Sequence, residues 1–398
     1  MAAKPRFDGE RSRVKLNEIA VVKAGNVAPK KDAFSGVGTP FVRAGSLASL
    51  LAGGTVSDLE RIDASTAQEL RLTLFPEGTV VFAKSGMSCM TGNVYVLPEP
   101  CYVVSHLACV IPTGDYASYL KHYFRFNRPN RLIENPSFPS IRLSKIQSIE
   151  LEIPACSEMQ KRVWLLEHIE VLIGRSKEQL TKLDALVKSR FVEMFGDPIE
   201  HPKWELSLLK DICGKLGSGA TPRGGKSAYK TNGIPLVRST NVHNGVFIRK
   251  DLAYIDDEQA EKLKGVTLEK GDVLLNITGA SVARSCVLPD DLAGGRVNQH
   301  VAIVRADSNT ILPCVLNATF TNASFQRFLL NGSRMAGATR EAITKEDLKA
   351  MGVPIPPLAL QQEFADFVAQ VDKSRFVVQQ QIEKLQMLYD SLAQEYFS

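Results

Sequence analysis

The chain has 398 residues, 44% hydrophobic, 7% aromatic and 23% charged, the profile of an ordinary globular protein with room for two or three domains at ~150 residues each. That composition excludes disordered, collagen-like and disulfide-scaffold classes. With 48 Lys and Arg against 43 Asp and Glu the formal net charge is +5, a mildly basic balance that admits nucleic acid as a partner without demanding it.

Seven cysteines, an odd number without any C-x-x-C spacing, indicate neither a disulfide framework nor a zinc site and point to a reducing cytoplasm. The first ten residues lack the apolar centre of a secretory leader. No stretch approaches the ~18 apolar residues of a membrane span, so neither secretion nor insertion is expected.

In chain order the sequence divides into a first domain at residues 1–156, a long helix at 157–196, a second domain at 197–357 and a second long helix at 358–398. The second half repeats the first. Gly38-Thr-Pro-Phe-Val-Arg43 returns as Gly233-Ile-Pro-Leu-Val-Arg238, Glu77-Gly-Thr-Val-Val81 as Lys270-Gly-Asp-Val-Leu274, and Ser85-Gly86 as Thr278-Gly279. Ser105-His-Leu-Ala108 returns as Gln299-His-Val-Ala302, and from Ile153-Pro154 the offset holds at 202 to the end of the chain. Such self-similarity sets the architecture before any local reading. Each domain shows short apolar runs punctuated by Gly and Pro, such as Thr79–Phe82 and Val301–Val304, which predicts a mixed or mainly β unit.

The helices carry one seam written twice. Leu166, Ile169, Ile173, Ser176, Leu180, Leu183, Val187, Arg190 and Met194 alternate in steps of three and four, and adding 202 gives Val368, Val371, Arg375, Val378, Ile382, Leu385, Tyr389, Leu392 and Tyr396. A 3.5-residue period over four heptads predicts a coiled coil, most simply the two helices on each other, each about 55–60 Å long. Pairing each helix with another subunit is the alternative. Antiparallel pairing would set the two domains at opposite ends of a rod.

Catalytic motifs are scarce. Ala220-Thr-Pro-Arg-Gly-Gly-Lys226-Ser227 resembles a phosphate loop but reads as lacking both the strand before and the helix after it. Asn135-Pro-Ser-Phe138 resembles an amino-methyltransferase site; it reads instead as a loop leading to a helix near Ser144, with Ser144 and Gln147 as a capping box. No catalytic or metal-binding residue is assigned. His106 and His300, at equivalent positions in apolar strands, suit packing or a satisfied hydrogen bond.

Several basic positions suit DNA. Arg43 and Arg238 end apolar strands beside small polar residues, suited to phosphate or base-edge contacts or to a surface ion pair. Lys121–Arg131 interleaves basic and aromatic residues, as a backbone-contacting surface or as a short helix with a buried aromatic face. Residues 327–340 form a cationic loop before a helix capped by Thr344 and Asp347.

These residues together point to a family. Gly219-Ala-Thr-Pro222, Gly233-Ile-Pro-Leu-Val-Arg238, Lys270–Gly279, Val297-Asn-Gln-His-Val-Ala302 and Pro354–Glu363 running into a long helix resemble the specificity subunit of type I restriction-modification systems. Phe191–Pro198 resembles that family's midchain junction. The first half departs from the pattern: Asn26-Val-Ala-Pro29 stands where Gly-Ala-Thr-Pro is expected, and Ile153–Gln160 lacks the proline pair. The resemblance implies an α+β fold, with two similar mixed α/β target recognition domains separated by two long helices forming an antiparallel coiled coil. It also implies a non-catalytic subunit that binds double-stranded DNA, each domain reading one half of a split target. The helices would dock two methyltransferase subunits using S-adenosylmethionine, and restriction/translocase subunits, where present, would use ATP and magnesium. No cofactor is expected in this chain. Two alternatives remain at this stage: an enzyme with one active site shared between the repeats, and a coiled-coil adaptor without DNA. The candidate DNA contacts are Arg43, Ser46, Lys84, Arg125, Arg128, Arg131 and Arg142 in the first domain, and Arg223, Arg238, Thr240, Asn241, Thr278, Arg284, Arg334 and Arg340 in the second.

Overall fold

The computed structural model describes residues 12–335 and 342–398, with backbone alone at 226 and 332–335. It resolves into two compact units, the first running to Lys177 and including Gln380–Ser398, the second Glu178–Gln379.

In the first unit, Ala20–Ala24, Leu107–Pro112, Val80–Ala83 and Val94–Val96 form an antiparallel four-stranded sheet in that spatial order. A second sheet orders Arg61–Ile62, Thr39–Val42, Cys101–Val103 and Leu74–Phe75, its central pair parallel. Val80, Val81, Phe82, Leu107, Ala108 and Val110 are fully buried. Both faces of the inner strands are thus covered, which is why they read as continuous apolar runs rather than alternating ones.

The second unit repeats the scheme. Cys213–Ser218, Val301–Ala306, Val273–Asn276 and Ser285–Val287 form the same four-stranded order. Ala253–Ile255, Ile234–Val237 and Arg296–Val297 form the second sheet, with a single bridge from Thr267 to Arg296 in place of the fourth strand. A glycine fixes each junction. Gly38 and Gly233 take φ of 109° and 123°, and a Cβ there would lie 2.3 and 2.5 Å from the carbonyl oxygens of Ile62 and Ile255. No other residue fits both the conformation and the space.

Cys156–Phe195 and Leu358–Phe397 are each one helix of 40 residues, about 60 Å at 1.5 Å per residue. All eighteen seam positions are buried or partly buried, among mostly exposed neighbours. Within the first unit the Arg162 guanidinium lies 4.7 Å over the Tyr396 ring, while Glu170 acts on the Tyr389 hydroxyl. Within the second, Asp184 pairs with Arg375 at 2.6 Å and Arg190 with Glu363 at 2.7 Å. Rising numbers on one helix meet falling numbers on the other, so the pairing is antiparallel in each unit.

Two local expectations need correction. The helix Leu143–Gln147 is preceded by Arg142 as N-cap, without a side-chain cap bond, so Ser144 lies inside it and forms no capping box. The box does form at Thr344, whose hydroxyl accepts from the Asp347 amide at 3.1 Å while the Asp347 carboxylate accepts from the Thr344 amide at 2.8 Å. The expected glycine of the first repeat is present one residue earlier than the motif alignment placed it. Gly25 and Gly219 donate to the carbonyls of Leu107 and Val301, and a Cβ on either would overlap the carbonyl oxygen of Val103 or Val297.

Candidate nucleic-acid interface

Arg43 directly follows the strand Thr39–Val42, and Arg238 follows Ile234–Val237. Each guanidinium lies over an aromatic ring nine residues earlier, Arg43 at 4.8 Å from Phe34 and Arg238 at 5.4 Å from Tyr229. Arg43 also pairs with Glu60 at 2.7 Å, whereas Arg238 donates to the Asp251 carbonyl. Both side chains are thereby held just past the end of an inner strand while remaining partly exposed. Ser46 opens the helix Ser46–Leu51 beside Arg43, and Thr240 is exposed in the turn after Arg238.

Asn241 is fully buried. Its side chain accepts from the Arg238 amide at 3.1 Å and donates to the carbonyls of Ile248 and Lys250. Those bonds hold the Arg238 turn together and remove Asn241 from any surface that a duplex could reach, which corrects its expected role.

A second cluster lies at the end of each four-stranded sheet. Ser85 Oγ is 2.8 Å from His106 Nδ1, and Thr278 Oγ1 is 2.7 Å from His300 Nδ1. The glycines that follow, Gly86 and Gly279, take φ of 78° and 76°. Both histidines are exposed and sit in the turn before a strand. The satisfied hydrogen bond expected of them is present, but they do not pack in an apolar strand.

In the first unit the segment before Arg142 runs beside this corner, with the Gly86 amide donating to Pro139 and the Ile141 amide to Lys84. Lys84 and the exposed Arg142 therefore lie near His106. Phe138 and Met87, 80% and 75% exposed, flank the same crossing. Arg128 and Arg131 are exposed at the short turn Pro129–Leu132, tied back by Asn130 donating to the Met90 carbonyl. In the second unit Thr278 bridges to Ala342, and Arg284 closes the turn after Thr278 with its backbone carbonyl accepting from Asn276.

Arg125 departs from expectation. It sits on the helix Ala117–Phe126, which buries Tyr119, Leu120, His122 and Phe124, and its guanidinium pairs with Glu170 of the central long helix. Lys121 pairs with Glu167 and Glu170. The basic-aromatic stretch is a helix junction over this part of its length, and Arg125 is engaged there. Arg223 is exposed in the 219–224 loop, away from regular structure. The Arg334 side chain and Arg340 lie outside the described residues.

The phosphate-loop resemblance fails for one of the two expected reasons. A strand does precede it, Cys213–Ser218, but only the single turn Gly225–Ala228 follows, so there is no helix terminus to cradle phosphate. Asn135–Phe138 is a loop, with Asn135 accepting from the Ser137 and Phe138 amides. Burial pushes the thiols of Cys101 and Cys286 up to about 12, which makes them poor nucleophiles. Among the described residues no His, Cys, Asp and Glu cluster has metal-binding geometry, and no helix is long and apolar enough to cross a membrane.

Duplicated sheets, repeated arginine and imidazole sites and paired helices define the class: a duplicated protein of α+β domains joined to long helices. The sequence pattern of the type I restriction modification DNA specificity domain matches residues 10–182 and again 202–387, and the chain belongs to that family. The type I restriction enzyme MjaIX specificity subunit of Methanocaldococcus jannaschii is 24% identical over 360 residues, covering 83% of this chain and 79% of the relative. The type I restriction-modification S subunit from M. genitalium matches over 100% of this chain and 98% of its own, at 11% identity and a TM-score of 0.53. A chain from a structure described as the basis of complex assembly and conformational transition of the type I R-M system covers 99% of both, at 17% identity and a TM-score of 0.51. These likenesses share the fold. Family membership makes the chain a DNA-specificity subunit with two target-recognition repeats.

Proposed function

We propose that the chain is the non-catalytic reader of a type I restriction-modification complex. Each repeat engages one part of a bipartite target through the Arg43 or Arg238 edge and the neighbouring loops. The long helices dock two methyltransferase subunits, which methylate DNA from S-adenosylmethionine, and restriction/translocase subunits using ATP and magnesium complete the assembly where present. The observation that carries this reading is the repetition, in both units, of a guanidinium held over an aromatic ring at the end of an inner strand. Arginine fixed in that way suits bidentate contact to phosphate or guanine.

The test incubates the purified chain with a random duplex pool, alone and with the modification subunits, and scores binding and methyl transfer separately. Selection of a split target with methylation only when the partners are present is expected. Methyl transfer by the chain alone, or no sequence preference in either setting, overturns the reading.

A further inference from the structure

The hydroxyl–imidazole pairs join two turns at the same corner of each repeat without contributing to a core. His106 and His300 are exposed, so neither fills a core. Each is nevertheless held firmly. Nδ1 meets Ser85 Oγ or Thr278 Oγ1, while the histidine carbonyl accepts from the amide of Lys84 at 2.9 Å or of Ile277 at 3.0 Å. The brace varies between serine and threonine but keeps its hydroxyl. With Nδ1 occupied, Nε2 is the ring's remaining polar atom, and the braced ring loses little freedom on binding a partner.

We infer that His106 and His300 are positioned donors to the DNA phosphate backbone, one in each repeat, with Ser85 and Thr278 as their positioning residues. This rests on the proposed function. The choice of phosphate follows from the duplication. Two repeats that read different bases share only the backbone as a common ligand, and an identical group at an identical position suits that common ligand. A base-reading side chain would be expected to differ between them, as the surrounding loops do.

The test uses the full chain assembled with its modification subunits. Equilibrium binding is measured on the selected target, on an unrelated duplex, and on targets carrying one neutral methylphosphonate at each backbone position in turn. His106→Ala and His300→Ala should each weaken binding to target and unrelated duplex alike by roughly tenfold, the scale of one hydrogen bond to a charged acceptor. Each should also abolish the methylphosphonate sensitivity at one position, His106→Ala in one half-site and His300→Ala in the other. Ser85→Ala and Thr278→Val should give smaller losses of the same kind, and Ser85→Thr should restore binding. Thermal unfolding should change little in all five variants, since the histidines are exposed and the hydroxyl residues only partly buried. Unchanged affinity, or relaxed base preference with an intact methylphosphonate pattern, overturns the inference while leaving the reader function standing. Absence of sequence preference in the unaltered complex overturns both.

Discussion

The helix Ala117–Phe126 of the first unit and the helix Pro313–Thr321 of the second occupy the same place in the repeat, yet only the first carries charged residues of its own to the long helices. The first is laced down: Lys121 and Arg125 pair with Glu167 and Glu170, Ser118 donates to Glu167 at 2.6 Å, and His122 meets the Tyr389 hydroxyl at 2.7 Å. Phe397 lies with its ring 5.3–6.5 Å from those of Tyr119, Tyr123 and Phe126. The second, Pro-Cys-Val-Leu-Asn-Ala-Thr-Phe-Thr, carries no charged residue. Beside it is a cavity of about 680 Å³ where Phe191, Phe364 and Val368 stand with Asp184, Asp372 and Arg375, and the hollow of the first unit, about 510 Å³, likewise mixes Val94 and Ile173 with Arg125, Glu170 and Asp390. The duplication therefore preserves sheet register and turn glycines, which fix the backbone, and leaves the helix junction free to diverge.

The sharpest way to break this comparison is in the second unit's aromatic cluster. Phe364 is wholly buried, with ring centroids 5.8 and 5.4 Å from Phe191 and Phe195. Phe364→Ala should cost about 3–5 kcal/mol, the usual price of an emptied aromatic site. Hydrogen exchange along Val301–Ala306 should accelerate accordingly. Phe397→Ala, at a residue 8% exposed whose neighbouring helix is also held by the Lys121 and Arg125 ion pairs, should cost less, about 2–3 kcal/mol, read along Leu107–Pro112. Equal losses would mean that the charged lacing contributes nothing to holding the first junction.

A buried charge separates the units next. In the second, Asp272 is fully buried and receives Arg305 Nε at 2.7 Å and the second nitrogen at 3.0 Å. The first unit has Thr79 and Ile111 at the matching positions. Arg305→Ala should cost about 3 kcal/mol, because it leaves a carboxylate stranded. The double change Asp272→Thr with Arg305→Ile should return to within about 1 kcal/mol of the original, since the same sheet already tolerates that pair. Urea unfolding of the three proteins checks both; a double variant as unstable as the single would show that the pair is not interchangeable.

Sequence alone made the repeat, the inner strands Val80–Ala83, Val273–Asn276 and Val301–Ala306 and both helix seams legible, because local residues write each directly as a repeated motif, an apolar run or a 3.5-residue period. The site was legible only in part. Arg43 and Arg238 could be found because the repeat marks them, but Asn241 and Arg125 could not be discounted, since burial of one and pairing of the other depend on segments far away in the chain. His106 and His300 were visible as a pair and misplaced to a strand interior. The signal available was the equally repeated Ser85-Gly86 and Thr278-Gly279, whose meaning emerges only when the two turns meet.

Acid should distinguish the units as well. Burial holds the His122 ring down to about 2, from an ordinary 6.5, with Lys121 and Arg125 adding repulsion. Glu170 is 3.9 Å away but is already shared between those two cations, so burial prevails. The folded ring is neutral while the unfolded one takes a proton below pH 6.5, so stability present above that pH is lost as pH falls. Between pH 6.5 and 5 the loss should be about 2 kcal/mol in the first unit. Counting from the helix starts, the second unit has Ala318 at this position and should lack the effect. His122→Phe should flatten the first unit's pH profile; a persisting slope would assign it to the carboxylates instead.

The smallest expected effect lies at the arginine edges. Arg43 is neutralised by Glu60, both about half exposed, while Arg238 spends its bond on the uncharged carbonyl of Asp251. Exposed ion pairs contribute only ~0.2–1 kcal/mol to stability, so Glu60→Gln should leave unfolding almost unchanged. Its effect on DNA should be larger than its effect on the fold. Freed of its counter-charge, Arg43 should raise affinity for any duplex by roughly three- to fivefold and steepen the salt dependence by up to about one unit. Arg238 has no carboxylate to release, so Arg238→Ala should lower the salt slope by more than Arg43→Ala does in the unaltered protein. In the Glu60→Gln background the two alanine variants should become equal. If Arg43→Ala already matches Arg238→Ala with Glu60 in place, the carboxylate does not restrain Arg43 when DNA is bound, and the two edges act alike despite their different tethers.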